Sequence, residues 1–447
     1  MHTPEHFQPQ HRWILWSIAA LVGALVGILL VLHYFAPMPP RTLTMTTGAP
    51  GGAYALFAER YRDALAKQGV KLVLKPSSGT IENLRRLKGV DGKADVGFLQ
   101  GGIVREPEST DLVTLGAMYY EPMWVFVRGD LQADRVAQLR GYRIAVGAQG
   151  GGAQLLALEI LAANGIPTDD PNLLPLGGDA AIAALANGKV DALITVNGAQ
   201  APIVQKLMKM PGVRLMGFAH ADAYTRLMPH LTRLTLPRGA IDLIADQPPE
   251  DLALVAPTAN LVARSDLHPA LVALLMQTAQ EIHRAPGLFE KGNEFPAARD
   301  HELPASSEAT RFYRSGPPLL QRVLPFWAAV LVDRLIWTLL PLIAILLPAL
   351  RIVPALLRWH ARSRIYRWYG ELKFLEEEAR RGEAKDVPRW QTQLDAIEQR
   401  ALRRKVPLAY ANELYILREH IALVRGFIES RAEVQSTFRR DAGNAKG

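Results

Sequence analysis

The segment Leu43–Phe57, LTMTTGAPGGAYALF, constrains the fold more than any other part of the chain. Its alternating Leu, Met and Thr residues predict a strand, the run Pro50–Gly52 predicts a tight turn, and helical spacing resumes at Tyr54. Because the first turn of a helix has backbone N–H groups without intrahelical partners, a carboxylate or phosphate can bind there. The alternative is an ordinary tight turn without a ligand.

The same order of strand, glycine turn and helix start returns in Tyr142–Leu156, YRIAVGAQGGGAQLL, about a hundred residues later. A third helix start is predicted at Ser77–Thr80, where a serine or threonine side chain can cap the helix. Neither glycine loop has the Lys-Ser/Thr of a P-loop or the G-x-G-x-x-G spacing of a dinucleotide site. Two loops of this kind suggest two lobes.

Short apolar runs of strand length alternate with helical stretches through the middle of the chain. The strands are predicted over residues 72–75, 96–99, 123–127, 144–146 and 192–195. The helices are predicted over residues 54–68, 81–88, 154–164, 180–187 and 199–210. Such alternation favours parallel sheets built from strand-helix-strand units, with ligands at the carboxyl ends of the strands. All three helix starts fall at those ends.

Two groups of these units predict two α/β lobes with a hinge and a central cleft. Residues 41–128 and 225–310 form the first lobe in this interpretation, and residues 129–224 form a second lobe that is inserted into it. The hinge is predicted within residues 128–140, where one group of units gives way to the next.

Two apolar runs predict that transmembrane helices flank the lobes. Residues 13–35 contain no Asp, Glu, Lys or Arg and have aromatic residues at both ends, which is typical of a membrane span. A secretory signal is the alternative, although the segment has a poor cleavage site. A second span is predicted over 335–357, after an interfacial segment at 319–334, although Arg351 and several prolines interrupt it. The alternative for this second run is a buried core hairpin.

Positive charge is concentrated in the C-terminal part of the chain. Residues 351–447 contain 20 Lys and Arg against 13 Asp and Glu. The positive-inside rule therefore predicts cytoplasmic ends, residues 1–12 and 358–447, with the lobes in the periplasm and the chain in a bacterial inner membrane. The tail charges alternate in sign and lack a groove-reading motif, so no nucleic-acid partner is predicted. The spacing of apolar residues in the tail predicts a small helical bundle or hairpin.

The chain has no cysteine, which excludes disulfides and thiolate metal sites. Its eleven histidines are scattered and do not form a metal spacing such as H-E-x-x-H. No nucleophile with an adjacent base can be identified. The sequence therefore predicts no metal, no cofactor and no catalytic residue.

Five motifs in a fixed order resemble the TAXI family of TRAP transporter solute-binding proteins. They are TTGAPGGAY at Thr46–Tyr54, SSGTIENL at Ser77–Leu84, ADVGFLQ at Ala94–Gln100, LRGYRIAVG at Leu139–Gly147 and GKVDALI at Gly188–Ile194. The resemblance covers roughly residues 41–296. It implies a type II periplasmic-binding-protein fold, in which two α/β lobes close on a small molecule, often glutamate or a dicarboxylate. The second span and the tail resemble a membrane-tethered branch of that family.

The resemblance also implies a set of ligand-binding residues. Those from the first lobe are Gly51, Gly52, Ala53, Tyr54, Ser78, Gly79, Thr80 and Gln100. Those from the inserted lobe are Gly150, Gly151, Gly152, Ala153 and Asn197. The family commonly has Ser and Thr where this chain has Gly151 and Ala153, so two hydroxyl donors are missing. For Tyr54 and Gln100 the alternatives are core packing and a strand-end cap.

These observations predict a membrane-anchored solute-binding protein that captures a small organic anion, of the amino-acid or dicarboxylate type, for a TRAP-type permease. The expected partners are a carboxylate ligand, that permease and the lipid bilayer. The alternative is a sensor that transmits closure of the lobes to the cytoplasmic tail, because a plain delivery protein needs no cytoplasmic bundle. An enzyme is not predicted.

Overall fold

The computed structural model describes residues 38–104, 111–299, 302–402 and 411–444, together with Gly23 and Gly27. The described residues fall into two compact units, which are divided between Ile336 and Trp337. The first unit contains both predicted lobes, and the second contains the predicted tail.

The first unit alternates strands and helices much as its sequence predicts. Its strands are β1 (Thr42–Thr46), β2 (Lys71–Lys75), β3 (Val96–Gln100), β4 (Leu112–Tyr120), β5 (Met123–Arg128), β6 (Ile144–Ala145), β7 (Leu173–Leu174), β8 (Ala192–Val196), β9 (Val213–Met216), β10 (Thr232–Leu236), β11 (Leu252–Ala256) and β12 (Thr258–Arg264). Its helices are α1 (Ala53–Lys67), α2 (Thr80–Leu87), α3 (Gly152–Ala163), α4 (Gly178–Ala186), α5 (Pro202–Met208), α6 (Ala221–Leu227), α7 (Pro269–His283), α8 (Ser307–Ser315) and α9 (Leu319–Val323).

Each lobe is built on a five-stranded sheet. The strand order is β2-β1-β3-β12-β4 in the first sheet and β7-β6-β8-β5-β9 in the second, while β10 and β11 form a separate two-stranded ladder. The sheets are mixed, because β12 is antiparallel to β3 and β4, and β5 is antiparallel to β8 and β9. The prediction of parallel sheets was wrong for these two strands. Both enter a sheet directly from the other lobe, without the crossover helix that a parallel neighbour requires.

The chain passes between the lobes at two adjacent points. It leaves the first sheet after β4, enters the second at β5 across Glu121–Pro122, and returns at Pro257, between β11 and β12. The backbone N–H of Glu121 donates to the carbonyl oxygen of Pro257 over 2.9 Å, which holds the two crossings side by side. The crossings therefore differ from the predicted boundaries after residues 128 and 224, and the predicted hinge at 128–140 lies beyond β5.

Helix α1 shows how the sequence pattern creates the core of the first lobe. Phe57, Tyr61 and Leu65 recur every four residues, and all three are buried. This spacing places them on one stripe of the helix, which faces the sheet. The ring of Tyr61 meets Phe98 of β3 edge-on, with 5.9 Å between the ring centroids. Helix α1 is thereby fixed with its first turn at the carboxyl end of the strands.

The second unit is helical and has a core of its own. Helix α10 spans Phe326–Arg381, α11 spans Val387–Leu402 and α12 spans Ala411–Asn444. Trp390, Leu394 and Ile421 are among the buried side chains that join these helices. The guanidinium of Arg431 donates to the carbonyl oxygens of Ala379, over 2.6 Å, and Gly382, over 2.9 Å, and so satisfies groups at the end of α10.

In the part of the chain that the structure describes, we find no helix that is both long and apolar enough to span a membrane. The predicted span at 335–357 falls within α10 and is not supported. The predicted interfacial segment at 319–334 contains α9 and the first residues of α10. The predicted cytoplasmic residues 1–12 and the predicted span at 13–35 lie outside the described residues, apart from two glycines.

Candidate ligand-binding site

Four helices begin at one cavity of about 130 Å³ between the lobes. Helices α1 and α2 approach it from the first lobe, and α3 and α4 approach it from the second. The cavity lies where β1, β3 and β8 end, which agrees with the expectation that ligands bind at the carboxyl ends of such strands.

Each of these helices begins after a glycine. The N-cap residues are Gly52, Gly79, Gly151 and Gly177, and none of the four helices has a capping bond from its N-cap side chain. The first-turn N–H groups therefore lie at the cavity without an acceptor from their own N-cap residue, and in α1 the N–H of Ala53 donates to Asn197 instead. Four helix N-termini also add partial positive charge. This arrangement can bind an anionic group without a basic side chain.

Close packing explains some of the glycines around the cavity. A Cβ atom on Gly177 would lie 2.6 Å from the backbone nitrogen of Ala148, and one on Gly152 would lie 3.0 Å from Oε1 of Gln100. Gly79 has a φ angle of 129°, a conformation that other residues rarely adopt. Gly177 thus lets two backbone segments approach each other, Gly152 makes room for the side chains of Gln100 and Thr80, and Gly79 permits the backbone angle itself.

A chain of hydrogen bonds connects polar groups of the first lobe. Oγ1 of Thr80 accepts from the backbone N–H of Gln100 over 3.1 Å and lies 3.1 Å from the Tyr54 hydroxyl. The Tyr54 hydroxyl donates to Oε2 of Glu121 over 2.9 Å. Because a hydroxyl has only one proton, the Thr80 hydroxyl is the donor in its bond with Tyr54. The Tyr54 ring also stacks on Phe98, with 5.4 Å between the centroids.

Glu121 is the acidic residue at the end of this chain of hydrogen bonds. Its side chain lines the cavity, although the residue is only 2% exposed. Burial raises the pKa of its carboxyl group to about 8, while the hydrogen bond from Tyr54 acts in the opposite direction. Of the residues that the structure describes, no Lys or Arg lines the cavity. Glu121 is therefore mostly protonated at neutral pH when the cavity is empty.

The second lobe contributes mainly backbone, and a few contacts join it to the first. Oδ1 of Asn197 accepts from the N–H of Ala53 over 3.3 Å, and Nδ2 of Asn197 donates to Oγ1 of Thr195 over 2.9 Å. Nε2 of Gln100 donates to the carbonyl oxygen of Gly152 over 3.4 Å. The bonds from Ala53 to Asn197 and from Gln100 to Gly152 cross the cleft, so the structure has its lobes close together.

Twelve of the thirteen predicted binding residues line this cavity. The exception is Gly150, whose N–H donates to Oε1 of Gln154 over 2.8 Å on the outer side of the loop. For Tyr54 and Gln100 the sequence left two roles open, ligand binding and a structural role. Both residues are buried and both line the cavity, so their positions fit either role. The structure brings the predicted residues together, and their contact with a ligand stays a prediction.

Several cavity residues were missed by the sequence analysis. The most informative are Glu121, Thr195 and the pair Gly177–Gly178, all of which line the cavity. The pair precedes α4 as the other glycines precede their helices, so the signal was present but had no strong strand before it. Glu121 stands alone between two apolar runs, YY and PMWVFV, and an isolated acid in such a place is a detectable signal.

A comparison with models of protein families finds a match that covers both lobes. A model of the NMT1-like family matches residues 45–314, which is more than half of the chain and includes every residue of the cavity. The chain belongs to the NMT1-like family. The more specific resemblance to TAXI proteins of TRAP transporters is not shown by this match.

Solved structures similar to this NMT1-like protein include solute-binding proteins. The alkanesulfonate-binding protein SsuA from Xanthomonas axonopodis pv. citri, bound to MOPS, is 19% identical over 55% of this chain and 73% of its own, with a TM-score of 0.36. The periplasmic aliphatic sulphonate binding protein SsuA from Escherichia coli is 18% identical over 69% of this chain and 83% of its own, with a TM-score of 0.36. An ancestral arginine-binding protein bound to arginine is 16% identical over 55% and 93%, with a TM-score of 0.35.

Proposed function

We propose that this NMT1-like protein is a solute-binding protein that captures a small organic anion between its lobes and delivers it to a TRAP-type permease. The observation that carries the proposal is the convergence of four uncapped helix N-termini, two from each lobe, on one cavity. The protein would bind its ligand without chemical change.

Closure of the lobes gives the mechanism. A ligand that accepts hydrogen bonds from α1 and α2 on one side, and from α3 and α4 on the other, stabilises the closed conformation. The ligand stabilises the closed conformation only by the difference between its binding free energies for the closed and the open conformation. Each charge-assisted hydrogen bond contributes on the order of 1.5 to 3 kcal/mol, so a few bonds to each lobe are sufficient.

The proposal is tested on full-length protein purified in detergent. Native mass spectrometry should find a small molecule bound to the wild type at one copy per chain. Gly152→Val should abolish that signal while circular dichroism stays unchanged, because its side chain would occupy the space between the lobes. A bound molecule that persists in the variant, or absence of any molecule from the wild type together with no binding in a screen of organic acids, would contradict the proposal.

We further propose that the lobes lie in the periplasm of a bacterium and the C-terminal unit lies in the cytoplasm, at the inner membrane. The excess of arginine after residue 350, taken with the positive-inside rule, supports this arrangement. Alkaline phosphatase fused after Leu303 should be active, and alkaline phosphatase fused after Leu394 should be inactive. Activity of the second fusion would exclude this topology.

A sensor is the second candidate function, and the C-terminal unit favours it. That unit buries Trp390 and Leu394 in a core of its own. A protein that only delivers a solute to a permease does not need such a folded C-terminal unit. Deletion of residues 370–447 should leave ligand affinity unchanged if the tail only anchors or docks the protein. A tenfold change, about 1.4 kcal/mol of coupling, would show that tail and cleft influence one equilibrium and would favour the sensor.

A further inference from the structure

The charges that line the cavity do not match a ligand that is only an anion. Helix N-termini from both lobes surround the cavity, and no cationic side chain among the described residues lines it. The one carboxyl group in the lining is that of Glu121. An anion with two or more charges could bind here only while Glu121 keeps its proton, because no described Lys or Arg in the lining would offset repulsion from the ionised carboxylate.

The position of Glu121 suits the recognition of a cationic group. The titratable groups that face it are the phenols of Tyr54, on α1, and Tyr119, which precedes it by two residues. Burial is the main cause that raises the pKa of both phenols, and the charge of Glu121 raises them further, so both stay neutral. Tyr54 donates to Oε2 of Glu121 and cannot supply a positive charge. An ionised Glu121 thus has no cationic partner among the described residues around the cavity.

We infer that Glu121 selects the ligand by accepting its ammonium group, and that the ligand is a small molecule carrying both an ammonium and a carboxylate. The carboxylate would bind to the N–H groups at the starts of α1 to α4. This inference rests on the proposed function, because it assigns a ligand class to the same cavity. It separates the two classes that the sequence left open, since an amino acid has the ammonium group and a dicarboxylate does not.

Charge balance favours this ligand over its alternatives. A buried carboxylate and ammonium at hydrogen-bond distance compensate each other's loss of hydration, whereas either one alone would be strongly unfavourable. A monocarboxylate would fill the helix starts and leave Glu121 protonated, so it would gain no ion pair from this carboxyl group. A ligand with both charges would bind the helix starts through its carboxylate and Glu121 through its ammonium group.

Binding should release a proton. The carboxyl group of Glu121 holds its proton in the empty cavity at neutral pH, since its pKa is about 8. When the ligand ammonium pairs with the carboxylate, that proton leaves to solvent. Only the ionised fraction of the protein is competent to bind, so the dissociation constant should fall about tenfold for each pH unit between pH 6 and 7 and level off above pH 8.

Calorimetry on the full-length protein in detergent tests the inference with matched pairs of probes. The pairs are L-alanine with propionate and L-glutamate with glutarate, each pair differing only in the amino group. In at least one pair the amino acid should bind ten times more tightly or better, and buffers of different ionisation enthalpy should show release of about one proton at pH 7 and a clearly smaller release at pH 8.5, where the ligand amine is still protonated. Equal or tighter binding of the deaminated partners, proton uptake, or no binding by either pair would overturn the inference.

Two variants distinguish a role of Glu121 in ligand selection from a purely structural role. Glu121→Gln keeps the shape of the side chain and an acceptor for Tyr54, but removes the charge. It should weaken binding of the amino acid at least tenfold, change binding of the deaminated partner less than threefold, and abolish proton release. Glu59→Gln is the control, because Glu59 is half exposed and pairs with Arg62 away from the cavity. Equal losses for both members of a pair would assign Glu121 a structural role only.

Failure of the inference can be distinguished from failure of the proposed function. A co-purified ligand without an amino group, lost from Gly152→Val, would leave the solute-binding function intact and exclude ligand selection by Glu121. Absence of any ligand and of any response to organic acids would remove both.

Discussion

The two lobes surround the same cavity but contribute different chemistry to it. The first lobe supplies polar side chains, namely those of Tyr54, Thr80, Gln100 and Glu121, whereas the second supplies mostly glycine and alanine backbone around α3 and α4. Both lobes offer helix N-termini, so both can contribute to affinity. Among the described residues that line the cavity, the group whose pKa lies near neutral pH is Glu121, which follows β4 of the first lobe. We conclude that selectivity and pH response should belong to the first lobe, while the second should close over whatever the first has selected.

The largest effect should come from removing the titratable group of the first lobe. The pKa of Glu121 is about 8 in the folded protein and near 4.5 in the unfolded chain. Below pH 4.5 both states hold the proton, and between pH 4.5 and 8 only the folded state does. The free energy of unfolding should therefore fall as pH rises through that window and level off above it. Each unit of pKa difference corresponds to roughly 1.4 kcal/mol, which gives a total of a few kcal/mol.

Glu121→Gln should remove this dependence, so that its stability relative to the wild type increases by a few kcal/mol from pH 4.5 to 8. Urea unfolding without ligand at several pH values, followed by hydrogen exchange in β4 and β5, measures the effect. The control Glu59→Gln should follow the wild type. Parallel curves for wild type and Glu121→Gln would mean that Glu121 is ionised in the empty cavity.

The substitution Gly152→Val tests whether the second lobe closes on the ligand. A Cβ atom at this position already lies 3.0 Å from Oε1 of Gln100 and 3.1 Å from Cβ of Thr80, so the larger side chain should keep the lobes apart. We expect at least about a hundredfold loss of affinity, or roughly 2.7 kcal/mol. Calorimetry with the co-purified ligand measures it, and Ala162→Val on the exposed face of α3 is the matched control. Unchanged affinity would show that the second lobe does not close on the ligand.

A smaller effect is expected from Tyr54→Phe, which removes one hydroxyl from the hydrogen-bond chain of the first lobe. The affinity should fall about tenfold, close to the contribution of one hydrogen bond to a charged group. The pKa of Glu121 should rise further, because the Tyr54 hydrogen bond lowers it in the wild type. The pH dependence of binding should then shift to higher pH. Tyr142→Phe, at an exposed position, should alter neither quantity.

The smallest effect should come from adding a hydroxyl to the second lobe. Ala153→Ser restores one of the donors that the TAXI family commonly has in this loop. If the lobe acts through its backbone, affinity for the same ligand should change less than threefold in calorimetry, with no change in proton release. A gain of tenfold or more would show that side chains of the second lobe take part in recognition, and the contrast between the lobes would fail.

Local structure was predictable from the sequence because it depends on near neighbours in the chain. The strand at 192–195 became β8 at Ala192–Val196, and the helix start after Gly52 lies where Pro50, Gly51 and the helical spacing indicated. The two glycines of that turn have different roles. Gly51 has the positive φ angle, 82°, whereas Gly52 is extended and is packed near Ala49 and Asn197.

The partners of each strand were less predictable. The run at 123–127 reads as a buried strand, and nothing in it tells whether it pairs with β4 or with β8. The pairing depends on contacts distant in sequence, so the first boundary between the lobes was placed after residue 128 instead of near 122, and the second after residue 224 instead of near 257. Glu121 was missed for the same reason, because its burial and its bond with Tyr54 result from bringing two distant segments together.

The hydrogen bond between Glu121 and Pro257 has a consequence for the order of events during binding. The two chain crossings form a short axis, and any rotation of one lobe against the other turns about it. A group close to a rotation axis moves little, so we expect the Glu121 carboxyl, which accepts a hydrogen bond from Tyr54 of the first lobe, to stay in place when the cleft opens. An arriving ligand can therefore meet this carboxyl in its final position before the second lobe has moved. Discrimination among solutes would then occur in the encounter itself, and closure would set how long the chosen solute stays.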